Sequence, residues 1–314
     1  MSLKREELKE LRATLTQVVN QVGMIVLGKE HQIRLALACL VAGGHLLIED
    51  LPGVGKTTLA QALARALGLR FNRVQFTADL MPGDVLGGAI YNRDEQRFEF
   101  HPGPIFSQLI LADEINRATP KTQSALLEAM EERQVTIEGE TRPLPTPFFV
   151  IATQNPTYQV GTFPLPESQL DRFLMRIDLG YPDRIAERAL LKGRDRRELL
   201  AQLGTVMPPE ALIMAQGGVP EIHVSDPLLD YLQALLDYTR RDSYFSLGLS
   251  PRAGLALIRA AQGWAMVAGR DYVVPEDLQI VLPQVVTHRL AHAASGGENG
   301  AQIVRRLLTA IPVP

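Results

Sequence analysis

Up to about residue 180, short apolar runs alternate along the chain with longer segments whose apolar residues recur at helical spacing. Apolar or alternating runs too short for a helix predict strands at 45–48, 71–76, 109–112, 148–152 and 173–179. Apolar residues at helical spacing predict helices at 4–23, 29–42, 56–67 and 118–133. The first part of the chain is therefore expected to alternate strands with helices.

Two further segments predict β-hairpins outside this alternation. Residues 84–103 combine a short helix or turn with a hairpin that has a polar tip, and residues 134–145 form a hairpin with Gly139 in its turn. Beyond residue 180 the spacing is helical, at 182–192, 226–240, 251–268 and 275–292, and SGGENG at 295–300 predicts a flexible link to a last short helix. The pattern divides the chain into a first domain, 1–180, and a helical domain, 181–314.

Composition narrows the class of protein. The chain has 314 residues, of which 46% are hydrophobic and 21% charged, with a net charge of −3, as expected of a soluble globular protein with a sizeable core. A net negative charge argues against general affinity for nucleic acid, which normally leaves a basic domain or stripe. The N-terminus has no apolar leader region and no run is long enough to span a bilayer, so we expect a cytoplasmic protein.

The stretch GHLLIEDLPGVGKTTLA, residues 44–60, contains the strongest chemical signal. A buried strand, a glycine loop and a helix that opens with Lys-Thr predict a phosphate cradle, in which Lys56 reaches the β- and γ-phosphates and Thr57 can hold Mg²⁺. The alternative is a glycine-rich turn with an incidental lysine. Asp50 stands where the motif has its first glycine, so its carboxylate either points away from the loop or weakens nucleotide binding. The predicted nucleotide contacts are Pro52, Gly53, Val54, Gly55, Lys56, Thr57 and Thr58.

Two adjacent carboxylates, Asp113 and Glu114, follow the apolar run at 109–112. Unpaired charge at the end of a buried strand is costly, and a metal ion would compensate for it. Asp113 would then hold Mg²⁺ through water, and Glu114 would orient and deprotonate the water that attacks the γ-phosphate. Alternatively, both residues only mark the exit of the strand into solvent.

Several other positions are weaker candidates. Asn155, before a proline, is either a turn residue or a neutral donor that positions water or senses the γ-phosphate. Arg172 has no local partner in the sequence except Asp171. Arg252, in the first turn of a helix with Ser250 as N-cap, opposes the helix dipole and needs an anion, which could be a surface carboxylate. An apolar segment before the phosphate loop could hold a purine base through Ile25, Val26 and Gly28, although apolar residues there are more often core.

Four further runs carry a family resemblance: LADEINRA at 111–118, MEERQVTIEG at 130–139, FFVIATQNP at 148–156 and LPESQLDRF at 165–173. Together with the phosphate loop, they resemble the MoxR family of AAA+ ATPases over roughly residues 22–290. The resemblance implies an α/β fold, a P-loop AAA+ core with a parallel sheet flanked by helices, followed by an all-α lid domain. It also implies that residues 84–103 are the helix-2 insertion and residues 134–145 the pre-sensor-1 hairpin of that clade.

The resemblance further assigns roles to residues. It implies that Lys56 and Thr57 bind the phosphates and Mg²⁺ of ATP, that Asp113 binds the metal and that Glu114 is the catalytic carboxylate. By the same resemblance Asn155 is the first sensor, Arg172 a finger into the adjacent subunit, and Arg252 the second sensor, whose anion would be an ATP phosphate. Asp50 departs from the family loop.

The function that the resemblance implies is Mg-ATP hydrolysis in an oligomer, expected to be a hexameric ring, that remodels a client protein. The resemblance also suggests a client with a von Willebrand factor A domain. One alternative is a DNA-directed motor or loader, which the mixed charges of the 134–145 hairpin disfavour. Another is a scaffold that binds ATP with little turnover, which only Asp50 favours.

Overall fold

The computed structural model describes residues 5–155, 161–193, 196–290 and 300–313. Within these ranges, nine strands form one parallel sheet, in the order β2-β5-β8-β1-β9, and two antiparallel hairpins, β3-β4 and β6-β7. The strands are β1 (Leu46–Glu49), β2 (Phe71–Gln75), β3 (Gly87–Asn92), β4 (Arg97–Pro102), β5 (Leu109–Asp113), β6 (Gln134–Ile137), β7 (Glu140–Pro143), β8 (Phe149–Gln154) and β9 (Met175–Ile177).

Helices cover both faces of the sheet and make up the C-terminal part. They are α1 (Arg5–Gly23), α2 (Glu30–Val41), α3 (Lys56–Ala66), α4 (Pro82–Leu86), α5 (Pro120–Glu132), α6 (Glu167–Leu170), α7 (Arg184–Lys192), α8 (Arg196–Ala201), α9 (Pro209–Gly218), α10 (Asp226–Arg241), α11 (Pro251–Val267), α12 (Pro275–Leu290) and α13 (Gly300–Ala310). None of the helices in the described part of the chain combines the length and apolar character needed to cross a membrane.

The expected α/β core, the helical C-terminal part and both hairpins are confirmed. The hairpin at 84–103 follows the short helix α4, as the sequence indicates. The apolar spacing did not predict helices α8 and α9. In α9, apolar residues lie around much of the circumference, so they show no helical periodicity. The predicted link at 295–300 lies outside the described residues, except for Gly300, which begins α13.

Alternate residues of the central strands enter two separate apolar clusters. In β5, Leu109 and Leu111 join one cluster, whereas Ile110 and Ala112 join the other. Both faces of the sheet are buried at these strands, which is why the strands are continuous apolar runs. The first cluster also contains residues of α1, α2 and α3 and of the C-terminal helices, so it extends past residue 180. The second contains residues of α5.

The buried imidazole of His45 fixes the amino end of β1. Its Nδ1 accepts a hydrogen bond from the backbone N–H of Val150 at 2.9 Å, and its Nε2 lies 3.3 Å from the carbonyl oxygen of Met130. Nδ1 must therefore be unprotonated, and Nε2 carries the proton that it donates to Met130. Burial lowers the pKa of His45 from 6.5 to about 4.

This lowered pKa predicts a loss of stability in acid. A histidine whose folded pKa lies below its unfolded pKa stabilises the fold above pH 6.5 and loses that contribution as the pH falls toward 4. For a shift of this size, the loss between pH 7 and pH 5 is about 2 kcal/mol. His45→Gln should therefore reduce the free energy of unfolding more at pH 7 than at pH 5, by about that amount. Urea denaturation at both pH values measures it.

The exposed His101 in β4 provides the matched control. His101→Gln should change the free energy of unfolding equally at the two pH values. A constant difference between wild type and His45→Gln would contradict the role of the buried imidazole.

Candidate active site

The loop between β1 and α3 is shaped for an anion. Gly53 and Gly55 have φ of +86° and +98°, a backbone conformation that side chains rarely allow. Such turns let successive backbone N–H groups face a bound anion, and Lys56 begins α3 at the positive end of the helix dipole. The loop therefore has the backbone form that the sequence predicts for a phosphate cradle.

The amino group of Lys56 is held at the centre of this site. It donates to the backbone carbonyl of Asp50 at 2.6 Å and to Oδ1 of Asn155 at 3.3 Å, and the residue is only 8% exposed. Burial lowers the pKa of Lys56, while the nearby carboxylates of Asp50, Asp113 and Glu114 act in the opposite direction.

Asp113 and Glu114 lie at the end of β5 and are fixed by Thr153 in the neighbouring strand β8. The hydroxyl of Thr153 donates to Oδ1 of Asp113 at 2.6 Å and accepts from the backbone N–H of Glu114 at 2.8 Å. Glu114 has φ of +57°, which is uncommon for a residue with a side chain and is found at many active sites. Thr153 was not among the predicted site residues, although its place beside Asn155 at the end of a buried strand is a usable signal.

The carboxylate of Glu114 receives donors from three directions. Asn155 Nδ2 donates to Oε1 at 3.1 Å, Gln75 Nε2 donates to Oε2 at 3.1 Å, and Arg117 Nη1 lies 3.1 Å from Oε2. Asn155 thus contacts both Lys56 and Glu114. The structure brings the phosphate loop, the paired carboxylates and Asn155 together at the carboxyl edge of the sheet.

Arg73 and Gln75 of β2 belong to the same cluster, although the sequence analysis did not select them. Arg73 donates to Oδ2 of Asp113 from Nη2 at 2.6 Å and from Nε at 3.0 Å. It also donates to Oε1 of Gln75 at 2.9 Å. β2 pairs with β5 in a register that sets Gln75 opposite Asp113.

A cavity of about 250 Å³ adjoins the phosphate loop. It is lined by residues of the loop, of the segment before α2 and of the chain around α7: Ile25, Val26, Leu27, Lys29, Gly53, Val54, Gly55, Thr58, Tyr181, Pro182, Leu190 and Arg196. Ile25 and Val26, two of the candidates for contact with a purine base, therefore line a cavity beside the phosphate loop. Gly28 does not line this cavity, because it faces Ala186 and Asp183 at the start of α7.

Arg172 and Arg252 lie elsewhere, at the amino edge of the sheet. They line a separate cleft of about 250 Å³ together with Gly43, Gly44 and His45, which immediately precede β1. The phosphate loop follows β1, and four residues of strand span roughly 13 Å. The two arginines are therefore on the side of the sheet away from the chain's own phosphate loop.

The partners of these arginines differ from the expected ones. Arg252 forms ion pairs with Glu131 at 2.6 Å and Asp171 at 3.5 Å, so carboxylates of its own chain compensate its charge. The expected pairing of Arg172 with Asp171 is wrong, because Asp171 bonds Arg289 of α12 at 2.6 Å. Arg172 donates to the carbonyl of Leu127 instead.

Comparison with known proteins is consistent with this geometry. Residues 45–175 match the family model of the ATPase family associated with various cellular activities (AAA), and residues 237–307 match the AAA lid domain. The chain is 39% identical to Chaperone MoxR1 of Mycobacterium tuberculosis, over 96% of this chain and 82% of that one. The chain belongs to the MoxR family of AAA+ ATPases.

Other relatives align over nearly the whole chain. YeaC of Bacillus subtilis is 44% identical, covering 98% of this chain and 97% of its own, and protein MoxR of Paracoccus denitrificans is 33% identical, covering 92% and 93%. The crystal structure of a protein from Cytophaga hutchinsonii superposes with a TM-score of 0.89 at 37% identity, covering 98% of this chain and 97% of that one. The MoxR fold thus extends over both parts of the chain.

The donor set of this MoxR-family site fits Mg²⁺ brought by a nucleotide. Among the described residues, no group of three or more His, Cys, Asp or Glu side chains could hold a metal ion by itself. Mg²⁺ is usually bound by one or two carboxylates together with substrate phosphates. Asp113 is a carboxylate of this kind, and Thr57 in the first turn of α3 could add its hydroxyl.

The carboxylate of Asp50 is turned toward the chain that leaves β9. Oδ2 accepts from the backbone N–H groups of Leu179 at 2.7 Å and Gly180 at 2.6 Å, and Oδ1 accepts from Leu51 at 2.7 Å. The sequence left two alternatives, a carboxylate that points away from the phosphate loop and one that weakens nucleotide binding. The structure shows the first, and the carboxylate faces backbone amides of the chain rather than solvent. Asp50 therefore joins the phosphate loop to the start of the helical part.

These contacts predict a structural cost for removing the carboxylate. Asp50→Ala should lower the free energy of unfolding by about 3 kcal/mol, because a hydrogen bond to a charged group contributes about 1.5–3 kcal/mol and the amides lose their acceptor. Asp50→Asn keeps one acceptor oxygen and should lose less. Urea denaturation measures both, with Asp230→Ala on the exposed side of α10 as control. If Asp50→Ala is as stable as this control, the contacts do not stabilise the fold.

Proposed function

We propose that this chain binds Mg-ATP and hydrolyses it as one subunit of a hexameric ring that remodels a client protein. The observation that carries the proposal is the double contact of Asn155, which bonds the phosphate-loop lysine Lys56 on one side and Glu114 on the other. A group in this position can report to Glu114 whether a γ-phosphate is present beside Lys56.

Each residue of the cluster has a specific task in this proposal. The phosphate loop and Lys56 bind the triphosphate, and Thr57 and Asp113 hold Mg²⁺, which supplies charge neutralisation on the β- and γ-phosphates. Glu114 orients a water molecule in line with the γ-phosphorus and accepts its proton as ADP and phosphate separate. Val26 and the cavity beside the loop receive the base.

A second copy of the chain is needed to complete the site. Arg172 and Arg252 lie at the amino edge of the sheet, away from their own phosphate loop. In a ring, this edge can face the carboxyl edge of a neighbour, where both arginines would meet the neighbour's phosphates. We therefore propose that Arg172 is a finger in trans and that Arg252 exchanges Glu131 and Asp171 for phosphate.

The client is proposed to be a protein. The relative from M. tuberculosis is named a chaperone. The β3-β4 hairpin exposes Ile90, Tyr91 and Phe98, and exposed apolar residues grouped on one element mark contact sites. A partner with a von Willebrand factor A domain is one form that such a client could take.

Nucleic acid is a less suitable partner. Arg142 of the β6-β7 hairpin forms an ion pair with Glu140 and lies 4.1 Å over the ring of Phe100, so its charge is already engaged. The chain shares its fold with a full-length MCM homologue from Methanopyrus kandleri, with a TM-score of 0.62 at 18% identity, which supports the fold alone.

Two substitutions separate nucleotide binding from turnover. Lys56→Ala should abolish binding of a fluorescent ATP analogue, because the loop loses its only side-chain cation among residues 50–58. Glu114→Gln should bind the analogue normally and release phosphate about a hundredfold or more slowly, because the amide cannot accept the proton.

Exposed residues of α5 serve as matched controls for both changes. Lys121→Ala and Glu128→Gln remove the same charges from the surface of this helix and should leave binding and turnover unchanged. Equal rates of phosphate release by wild type and Glu114→Gln would refute the assignment of Glu114.

Mixing variants tests whether the site is shared between subunits. Arg172→Ala should bind ATP and lose roughly a thousandfold in rate, the usual contribution of an arginine finger. Lys56→Ala should also be inactive. A mixture should recover activity, because some interfaces combine the intact phosphate loop of the first variant with the intact arginine of the second.

The mixture must be shown to co-assemble, for example by pull-down of differently tagged variants. Arg305→Ala, on the exposed side of α13, should bind ATP and turn over like wild type. A dilution series of wild type with Lys56→Ala detects rings that require every site, since activity then falls more steeply than linearly. Linear dilution together with failed recovery would remove Arg172 from the role of trans finger.

A further inference from the structure

The edge strand β2 places a positive charge directly on the carboxylate proposed to hold Mg²⁺. Arg73 and Gln75 are two residues apart and therefore project from the same face of β2. Gln75 lies opposite Asp113 in the register of β2 with β5, and Arg73 reaches Asp113 diagonally. This pairing of an arginine with the aspartate at the end of β5 is independent of the phosphate loop.

Both oxygens of Asp113 are engaged. Oδ1 accepts the hydroxyl of Thr153 at 2.6 Å, and Oδ2 accepts two N–H groups of Arg73, at 2.6 and 3.0 Å. A water molecule in the shell of a Mg²⁺ ion must donate to the same carboxylate if Asp113 is to hold the metal. Arg73 and the hydrated metal therefore compete for the lone pairs of Oδ2.

The two sides of this contact differ in burial. The side chain of Asp113 is 10% exposed, whereas that of Arg73 is 48% exposed. The aspartate is fixed by Thr153 and the strand, so it cannot turn away from the guanidinium. Arg73 has a long, flexible side chain on the edge strand β2, so its guanidinium can move into solvent. Exchange of the guanidinium for the metal would therefore move Arg73 and leave Asp113 in place.

We propose that Arg73 is a counter-cation of Asp113 that Mg²⁺ must displace. Arg73 thereby sets the Mg²⁺ concentration that the site needs in order to bind nucleotide. This inference rests on the proposed function, since it concerns the metal that accompanies ATP. Arg73 is a positioning residue: it acts through Asp113 and does not contact the nucleotide.

The displacement has a further consequence at Glu114. Arg73 donates to Oε1 of Gln75, and Gln75 donates through Nε2 to Oε2 of Glu114. When Arg73 leaves, Gln75 loses the donor that fixes its amide orientation. Metal binding at Asp113 is thereby transmitted to the carboxylate proposed to activate water.

The test measures how Mg²⁺ promotes binding of a fluorescent, non-hydrolysable ATP analogue. In Arg73→Met the Mg²⁺ concentration at half-maximal binding should fall about tenfold, because the metal no longer has to displace a charge-assisted hydrogen-bonded partner of Asp113. Arg73→Gln, which is polar and neutral, should show the same shift and provides a second variant if Arg73→Met does not fold. Arg73→Lys keeps the charge and should stay close to wild type.

Two controls separate this effect from a change in net charge or in fold. Arg70→Met removes an exposed charge just before the opposite end of β2 and should leave the midpoint unchanged. Binding of the analogue in excess EDTA should be nearly equal in wild type and Arg73→Met, because Arg73 does not contact phosphate.

Each possible result distinguishes the inference from the proposed function. An unchanged or raised Mg²⁺ midpoint in the neutral variants overturns the role of Arg73, and so does a shift in Arg73→Lys as large as that in Arg73→Met. Weaker binding in EDTA would show instead that Arg73 contacts the nucleotide. If wild type shows no Mg²⁺-dependent binding of the analogue, the proposed function fails together with the inference.

Discussion

The parallel direction of the strands in the central sheet is the constraint on which the candidate site depends. It places the phosphate loop after β1, the carboxylates after β5 and Asn155 after β8 at the same edge, although the sequence separates them widely. The same constraint puts whatever precedes the strands at the opposite edge. The cleft that contains Arg172 and Arg252 is there, beside Gly43 and Gly44. In the proposed function, one chain would therefore carry two half-sites that it cannot bring together by itself.

The sequence predicted those features that depend on neighbouring residues along the chain. Apolar runs identified the central strands, and the GVGKT and DE patterns identified the phosphate loop and the carboxylates, because each of these is a short local signal. Contacts between distant segments could not be predicted in this way. The direction of the Asp50 carboxylate depends on amides about 130 residues later, and the partner of Asp171 depends on the packing of α12. Arg73 was missed because nothing in the sequence indicates that β2 pairs with β5.

Charge compensation explains why the carboxyl edge is crowded with polar side chains. Carboxylates at the ends of buried strands need partners, and Asp113, Glu114 and Asp50 each have one: Arg73 for Asp113, Arg117 and Asn155 for Glu114, and backbone amides for Asp50. A bound triphosphate would add negative charge to this cluster. Lys56 and a divalent cation are what would balance it, so the proposed nucleotide and metal are expected to bind together rather than separately.

Asp50 connects this chemistry to the helical part of the chain. Its carbonyl oxygen accepts from Lys56, while its carboxylate accepts from Leu179 and Gly180, so one residue contacts both the phosphate-binding lysine and the start of the connection to α7. Gly180 has φ of +63°, and the carbonyl of Tyr181 accepts from Lys29 at 2.7 Å. The connection is thus held on both sides by charged groups of the core. Because these are short, charge-assisted hydrogen bonds, Asp50 ties the position of the Lys56 amino group to that of the chain at 179–181.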